Sequence, residues 1–194
     1  MLLTTSQLKL FELSAGLLLT ATGFALAWLQ TYRLSESRRI QEELEKSSRV
    51  LEEERRVLEL IARGASLKEV LDALTGAIER MAGNCFCTIL LLDEDRRHLL
   101  EGSGGSLPAE YIRAIDGLEI GPDVGACGSA AFRNETVVVE DIATDYRFAP
   151  VKDFILSFGL RACWSVPIRG SNKNVLGTFA MYHRRPAKPR ERDL

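Results

Sequence analysis

The sequence predicts an α+β domain, with a mostly antiparallel sheet flanked by helices, that follows a transmembrane helix and a coiled-coil helix. Three observations point to this fold class. Twenty consecutive residues near the N-terminus carry no charge, a charged segment with leucine at every seventh position follows, and the rest alternates strand-like runs with short helical segments. We therefore expect an anchor over residues 1–34, a coiled coil over residues 35–63 and a globular domain over residues 64–194.

The composition excludes several classes of protein. With 194 residues, 46% of them apolar, the chain has room for one ordinary domain and an appendage. Its net charge of −2 lacks the basic excess of a nucleic-acid binder, so no nucleic-acid partner is expected. The 4 cysteines are too few for a disulfide-stapled fold, and their spacing, with only 2 histidines, is not that of a zinc site.

A transmembrane helix is predicted over residues 13–32, which carry no charged side chain. Twenty helical residues span about 30 Å, the thickness of the hydrocarbon core of a bilayer. Trp28 and Tyr32 lie at the end where aromatic rings favour the interface, and Arg33 follows at once. The positive-inside rule then predicts a single pass through the inner membrane, with the globular domain in the cytoplasm. A cleaved signal peptide and a buried core helix are the alternatives, but the basic residues of a signal peptide would precede the apolar run.

A coiled coil is predicted for the charged segment that follows. Leu44, Leu51 and Leu58 recur every seven residues in a stretch without proline or glycine. The second seam of the heptad is half polar and consists of Ile40, Ser47, Glu54 and Ile61. This pattern predicts a parallel two-stranded coiled coil of modest stability, and with it a homodimer. A solvated helix without a partner is the alternative.

Four helical segments are predicted in the globular domain. Ser66 and Glu69 form a capping-box pattern ahead of apolar residues at helical spacing, which continue to Gly83. The other three segments are shorter, the last of them interrupted by a proline, and cover residues 108–115, 125–132 and 146–158.

Five strands are predicted from runs of β-branched and apolar residues. They cover residues 86–92, 98–101, 136–139, 161–168 and 175–182. Short polar turns separate the first strand from the second and the fourth from the fifth, as expected for antiparallel hairpins. The sheet is therefore expected to be mostly antiparallel.

The order of these motifs resembles that of the GAF domain, a small-molecule sensory module of bacterial signalling proteins. The matching segments are Gly125–Ala131, Val138–Ile142, Gly159–Ile168 and Val175–Ala180. The resemblance covers about residues 60–190. It implies a five- or six-stranded antiparallel sheet with a ligand pocket on the face opposite the terminal helices.

The resemblance also implies a place in a signalling protein. Residues 160–165 are similar to GAF modules that precede histidine kinases or the domains that make and hydrolyse cyclic-di-GMP. Members of the family end in a helix that continues into an output domain, and this sequence stops at the start of that helix. We therefore expect a fragment of a membrane-anchored sensor without catalytic activity of its own. It would bind a small molecule or respond to redox state, and signal through the coiled coil to an output domain absent from this chain.

Three of the residues expected to bind the ligand lie in a glycine-rich turn. Cys127 stands between Gly125 and Gly128 at the start of a helix, where backbone N–H groups and the helix dipole lower the pKa of a thiol. The two glycines allow the backbone to approach a ligand closely. A packing role for the thiol is the alternative. No metal site is expected, and the sequence identifies neither the ligand nor a cofactor.

Three further ligand-binding residues are predicted on or beside strands. Cys163 and Trp164 are adjacent, so their side chains point to opposite faces of the sheet, and the sequence leaves open which of them faces the pocket. Asp141 follows a strand, where its carboxylate binds either a ligand group or the backbone of a turn.

A catalytic alternative follows from the same resemblance. Free methionine-R-sulfoxide reductases share the GAF fold and use cysteines for their reaction. In this sequence Cys127 and Cys163 would be the residues that attack the sulfoxide and resolve the intermediate.

A tetrapyrrole ligand is disfavoured. Bilin-binding members of the family attach their chromophore through a cysteine commonly followed by histidine, and the sequence contains no such pair. Haem needs an axial ligand, and the two histidines, His98 and His183, fit solvated surface positions.

Overall fold

The computed structural model describes residues 5–189, and the side chains of residues 5–27, 29–31, 34 and 37 lie outside this description. The first element is a single helix, α1, Thr5–Ala62. By their contacts the residues fall into two compact units, one ending at Leu51 and the other beginning at Glu52.

Within the described part of the chain, none of the helices is long and apolar enough to cross a membrane. The predicted transmembrane segment, residues 13–32, falls mainly on side chains that lie outside the description. The anchor therefore stays a prediction.

Helix α2, Leu67–Ala82, begins at the capping box that the sequence predicts. Ser66 Oγ accepts a hydrogen bond from the Glu69 N–H at 3.3 Å, and the Glu69 carboxylate accepts one from the Ser66 N–H at 2.8 Å. These two bonds satisfy amide groups that the helix itself leaves without an acceptor. Gly83 ends the helix with a φ of 74°, a left-handed conformation that favours glycine.

Six strands form one sheet in which all neighbouring pairs are antiparallel. In chain order they are β1 Phe86–Leu92, β2 His98–Ser103, β3 Leu118–Glu119, β4 Val137–Val139, β5 Ala162–Arg169 and β6 Val175–His183. Across the sheet their order is β3-β2-β1-β6-β5-β4. All five predicted strands are present, β2 continues to Ser103, and β3 is an element that the sequence did not predict. The α+β class with a mostly antiparallel sheet is confirmed.

The two faces of the sheet carry different helices. Helix α2 packs on β1 and β2, and the opposite face is covered by α3 Ala109–Ile115, α4 Gly125–Arg133, a 3₁₀ turn Tyr146–Phe148 and α5 Lys152–Ser157. Alternation along β1 places Leu90 in the core beneath these short helices, with its neighbours Ile89 and Leu91 on the side of α2. The short helices lie where the sequence predicts them.

Gly177 allows the central strands to approach each other. It lies on β6 opposite Leu91 of β1 and Ile168 of β5. A β-carbon added at Gly177 would collide with the backbone oxygen of Leu90 and come within 3.1 Å of the Leu91 Cα atom. Both obstacles belong to the backbone, so neither can rotate away.

We expect Gly177→Ala to lower the free energy of unfolding by about 1–3 kcal/mol, because the added methyl group forces the backbone of β1 to shift. The control is Gly76→Ala inside α2, where the added β-carbon meets only the end of the Arg80 side chain, at 3.1 Å. Alanine favours a helix over glycine by about 1 kcal/mol, so the control is expected to be as stable as the wild type or more stable. Denaturant unfolding measures both changes, and equal stability of the two variants would contradict the packing described for Gly177.

Candidate functional site

A cavity of about 340 Å³ lies between the sheet and the helices α3, α4 and α5. Its volume falls in the range of small-molecule sites. Most of its lining is apolar and includes Leu90, Ile115, Leu118, Val124, Phe148, Val151, Phe154 and Ile155. It lies on the sheet face opposite α2, which is the face that the sequence predicts for the pocket.

Tyr111 of α3 is the centre of an aromatic cluster beside this cavity. Its ring is parallel to that of Phe154, with 6.3 Å between the centroids, and stands edge-on to Phe158 at 5.5 Å and Tyr182 at 5.7 Å. Such ring pairs add favourable energy beyond the area that they bury. Tyr111, Phe154 and Tyr182 line the cavity, which therefore has an aromatic wall held in a defined geometry.

The polar end of the cavity is formed by Cys127 and Tyr182. The Cys127 sulfur lies 3.9 Å from the Tyr182 hydroxyl oxygen, and both residues are buried. Cys163 is opposite Tyr182 in the pairing of β5 with β6, is fully buried, and belongs to the same core. The structure thus answers the question that the sequence leaves open, because the Cys163 side chain, and not that of Trp164, faces the cavity side of the sheet.

The two thiols shift each other's pKa in opposite directions. A hydrogen bond from the Cys163 thiol lowers the pKa of Cys127 to about 7, although burial acts against this change. The hydroxyl groups of Ser165, Tyr182 and Thr178 also lower the pKa of Cys127. Burial and the neighbouring Cys127 raise the pKa of Cys163 well above its ordinary value. Of the two thiols, Cys127 therefore loses its proton more readily than Cys163.

Two charged residues line the cavity, Arg147 and Asp123, and both already have partners. The Arg147 guanidinium donates to the Asp145 carboxylate at 2.6 and 2.9 Å. Asp123 Oδ1 accepts from the Tyr146 hydroxyl at 3.1 Å and from Arg133 Nη2 at 3.3 Å. Hydrogen bonds from Arg147 lower the pKa of Asp145, so this pair stays ionised near neutral pH. The charges at the cavity are thus offset by neighbouring groups.

The two glycines around Cys127 have different roles. Gly125 lines the cavity with a φ of 52°, and a β-carbon there would lie 3.5 Å from the ring of Phe148. Gly128 is not among the lining residues. A β-carbon at Gly128 would lie 2.9 Å from the Val124 Cβ atom and 3.1 Å from the Glu119 carbonyl oxygen, so this glycine serves the close packing of α4.

Asp141 lies outside the cavity lining and has protein partners. Its carboxylate accepts from Arg161 at 2.9 Å and from the Ala143 N–H at 3.1 Å. The hydrogen bonds from Arg161 lower the pKa of Asp141. Of the two roles that the sequence allows, these contacts match the binding of a turn, and ligand binding by Asp141 stays a prediction.

Trp164 lies on the sheet face away from the cavity. Its Nε1 donates to the Ala187 carbonyl oxygen at 3.1 Å, and its ring lies 4.3 Å from that of His183. The structure therefore does not bring Trp164 together with Cys127, and its role in ligand binding is also untested. His98 Nδ1 is 2.9 Å from the Asp93 carboxylate, and neither histidine lines the cavity.

Several lining residues were not predicted from the sequence. Tyr111, Phe154 and Tyr182 form the aromatic wall. Tyr111 and Phe154 lie in two predicted helical segments, and their aromatic rings there could have indicated this wall. Arg147 had no comparable signal, because its ion pair with Asp145 joins residues only two positions apart in a 3₁₀ turn.

A six-stranded antiparallel sheet, with α2 on one face and short helices above a mainly apolar cavity on the other, defines the class of α+β domain to which this chain belongs. A family model of the GAF domain matches residues 64–194. The chain belongs to the GAF domain family, as the motifs of the sequence predict.

Comparisons with known proteins extend this assignment. The chain is 40% identical over 139 residues to a methyl sulfide methyltransferase-associated sensor of Methanosarcina acetivorans, a match that spans 72% of this chain and 14% of that protein. The solved GAF domain of an Acinetobacter phosphoenolpyruvate-protein phosphotransferase has a TM-score of 0.55 at 22% identity, and covers 74% of this chain and 82% of its own. The free methionine-R-sulfoxide reductase of Neisseria meningitidis, in complex with its substrate, has a TM-score of 0.51 at 18% identity. The match covers 71% of this chain and 74% of that structure. At such identities these two structures show the fold alone.

The thiol pair makes a prediction about alkylation. A small neutral reagent such as iodoacetamide is expected to label Cys127 with a midpoint near pH 7, because its pKa is lowered to about 7. Cys163→Ala removes the hydrogen bond that lowers this pKa, so the midpoint is expected to move to higher pH. Peptide mapping by mass spectrometry measures the profile. Cys87 on the opposite sheet face is the internal control, because it is inaccessible and because the neighbouring Cys85 and burial raise its pKa. Labelling of Cys127 only in the unfolded protein would show that the cavity gives no access to this thiol.

Proposed function

We propose that this GAF domain is a sensor that binds a small, uncharged and mainly apolar molecule in the cavity beside Cys127. The observation that carries this proposal is the state of the charged groups, since Arg147 and Asp123 are both occupied by neighbouring residues. An anionic ligand would find no unpaired cation here, and a cationic ligand would find only the buried thiol of Cys127 in a largely apolar space, so either charge costs free energy.

The lining also suggests the form of the ligand. The rings of Tyr111 and Phe154 offer faces on which a flat or compact apolar group can stack. At the inner end, the Cys127 thiol and the Tyr182 hydroxyl are available to one hydrogen-bonding group of the ligand. A molecule that combines one polar group with an apolar body fits this arrangement.

A sensory role is supported by the relative from Methanosarcina acetivorans, which is named a sensor and is 40% identical over the aligned region. The chain spans only 14% of that protein, so the activity of the whole relative is not carried over. We extend to this chain only the sensory role of the relative, in which a GAF domain detects a signal and other segments of the protein respond to it.

We further propose that α1 transmits the signal as a parallel coiled coil between two copies of the chain. Leu44, Leu51 and Leu58 are 65%, 62% and 57% exposed, and a second copy of the helix would cover them. Arg80 of α2 binds Glu53 of α1 at 2.7 Å, so a shift of α2 on the sheet would reach α1 directly. A change in register or rotation of the coiled coil is the two-state element that this proposal requires.

Residues 13–32 are proposed to anchor the protein in the inner membrane, with the GAF domain in the cytoplasm. The uncharged run followed at once by Arg33 supports this orientation. The output is proposed to be a histidine kinase or a domain of cyclic-di-GMP turnover.

The reductase alternative is favoured by one observation, the proximity of Cys127 and Cys163 beside the cavity. In that reaction the Cys127 thiolate would attack the sulfoxide to give methionine and a sulfenic acid. The Cys163 thiol would then displace water to form a disulfide, which a dithiol reductant would reduce. Free methionine sulfoxide carries an ammonium and a carboxylate group, however, and the charges at this cavity are already paired. Turnover of free methionine sulfoxide with dithiothreitol, lost in Cys127→Ser, would replace the sensor proposal by this one.

Ligand binding is tested with indole, a neutral aromatic probe of suitable size. Ala114→Trp fills the cavity from an exposed position of α3 and is expected to weaken indole binding by about tenfold or more, followed by NMR titration of the labelled protein. Arg113→Trp changes the next residue of the same helix, which does not line this cavity, and is expected to bind indole as the wild type does. Equal affinity of the two variants would place the indole site elsewhere.

Dimer formation is tested at the leucine seam. Leu51→Asp places a carboxylate in the apolar contact and is expected to raise the dimer dissociation constant by more than about tenfold, or 1.4 kcal/mol. Arg56→Asp introduces the same side chain at an exposed position outside both seams and is expected to leave the dimer intact. Sedimentation equilibrium of the full chain in detergent measures the association. A wild-type monomer at about tens of micromolar would contradict the coiled coil.

A further inference from the structure

Two cysteines lie side by side on the sheet face opposite the ligand cavity. Cys85 directly precedes β1 and Cys87 is the second residue of that strand. Their side chains point to the same face, and their sulfur atoms are 3.9 Å apart. Both are free thiols and buried, with Cys87 inaccessible and Cys85 8% exposed. The sensor function described above does not use either of them.

A third sulfur atom belongs to the neighbouring strand. Met181 of β6 is directly opposite Cys87 of β1 in the sheet. Residues paired in this way share a face and have Cβ atoms about 4.5–5.5 Å apart. The thioether of Met181 is therefore within reach of the same space as the two thiols, and all three side chains carry a soft donor atom.

The donor set distinguishes between metals. Zinc takes four protein ligands in structural sites, and among the residues that the structure describes no group of three or more His, Cys, Asp or Glu is placed to hold a metal. Thiolates and a thioether select Cu(I), which is satisfied by few soft ligands. The sulfur atoms of Cys85 and Cys87 are 3.9 Å apart. If both bind one ion at about 2.3 Å, the sulfur–metal–sulfur angle is about 115°, close to that of trigonal coordination.

The surroundings give this site both an entrance and a favourable charge. Cys85 lines a second cavity, of about 760 Å³, together with Arg80, Arg184 and Arg185. One Cu(I) ion with two thiolates has a net charge of −1, which the guanidinium groups of Arg184 and Arg185 offset, since Arg80 is already paired with Glu53. The nearby Glu79 directs its carboxylate at backbone amides, accepting from the Cys87 N–H at 2.7 Å.

We propose that Cys85, Cys87 and Met181 form a binding site for Cu(I). Binding forms two thiolate bonds and one thioether bond, and the two thiol protons pass to solvent. The ion enters and remains as Cu(I), so no electron is transferred. The site is separated from Cys127 and Cys163 by the sheet, which makes that second cysteine pair a matched control.

The test is a titration of the full chain with Cu(I), anaerobic and with reduced thiols, in competition with the chromophoric chelator bathocuproine disulfonate. The wild type is expected to retain one equivalent of copper. Cys85→Ser and Cys87→Ser are each expected to weaken binding by about tenfold or more, and Met181→Leu, which conserves volume, by about tenfold. The double variant Cys127→Ser/Cys163→Ser is expected to bind as the wild type does.

The proposal would be overturned if Cys85→Ser and Cys87→Ser retained copper in full, or if the control double variant lost it. X-ray absorption at the copper edge of the wild type provides a measurement that does not depend on how the variants fold. Three sulfur neighbours are expected, and coordination by nitrogen or oxygen atoms would exclude this site.

Discussion

The packing of helix α4 on strands β5 and β6 determines where the cavity of this domain lies. The buried side chains that α4 contributes to the core are small, Ala126, Cys127, Ala130 and Ala131. Small side chains let the helix lie close to the sheet, and larger residues of α3 and α5, such as Tyr111 and Phe154, line the cavity beside it. Cys127 is the member of the α4 set that brings a polar atom to the cavity.

The sequence predicts the regular elements well because each has a repeat or a cap of its own. The capping box of Ser66 and Glu69 marks the start of α2, and runs of β-branched and apolar residues mark β1, β5 and β6. Strand β3 has only two residues, which is too short for any periodicity. Adjacent positions on a strand face opposite sides of the sheet, so the sequence shows that Cys163 and Trp164 point in opposite directions. Both residues are buried, so burial does not distinguish the two faces. Only the helices packed on each face show which residue is on the side of the ligand cavity.

The character of the candidate site was less predictable, since it depends on contacts that leave no trace in spacing. Asp145 caps a 3₁₀ turn by accepting the Arg147 N–H at 3.0 Å, and the same carboxylate binds the guanidinium of that residue. Because Asp145 binds the Arg147 guanidinium, this cation is not available to a ligand in the cavity.

The carboxylate of Glu79 gives helix α2 a fixed point on the sheet. Its Oε1 accepts from the Cys87 N–H at 2.7 Å and from the Ser106 N–H at 3.1 Å, so a single side chain joins a helix, a strand and a loop. A β-carbon at Gly105 would collide with this carboxylate, so the loop carries no side chain that could separate the three. Loss of this one carboxylate would therefore leave two backbone amides, those of Cys87 and Ser106, without their acceptor at the same time.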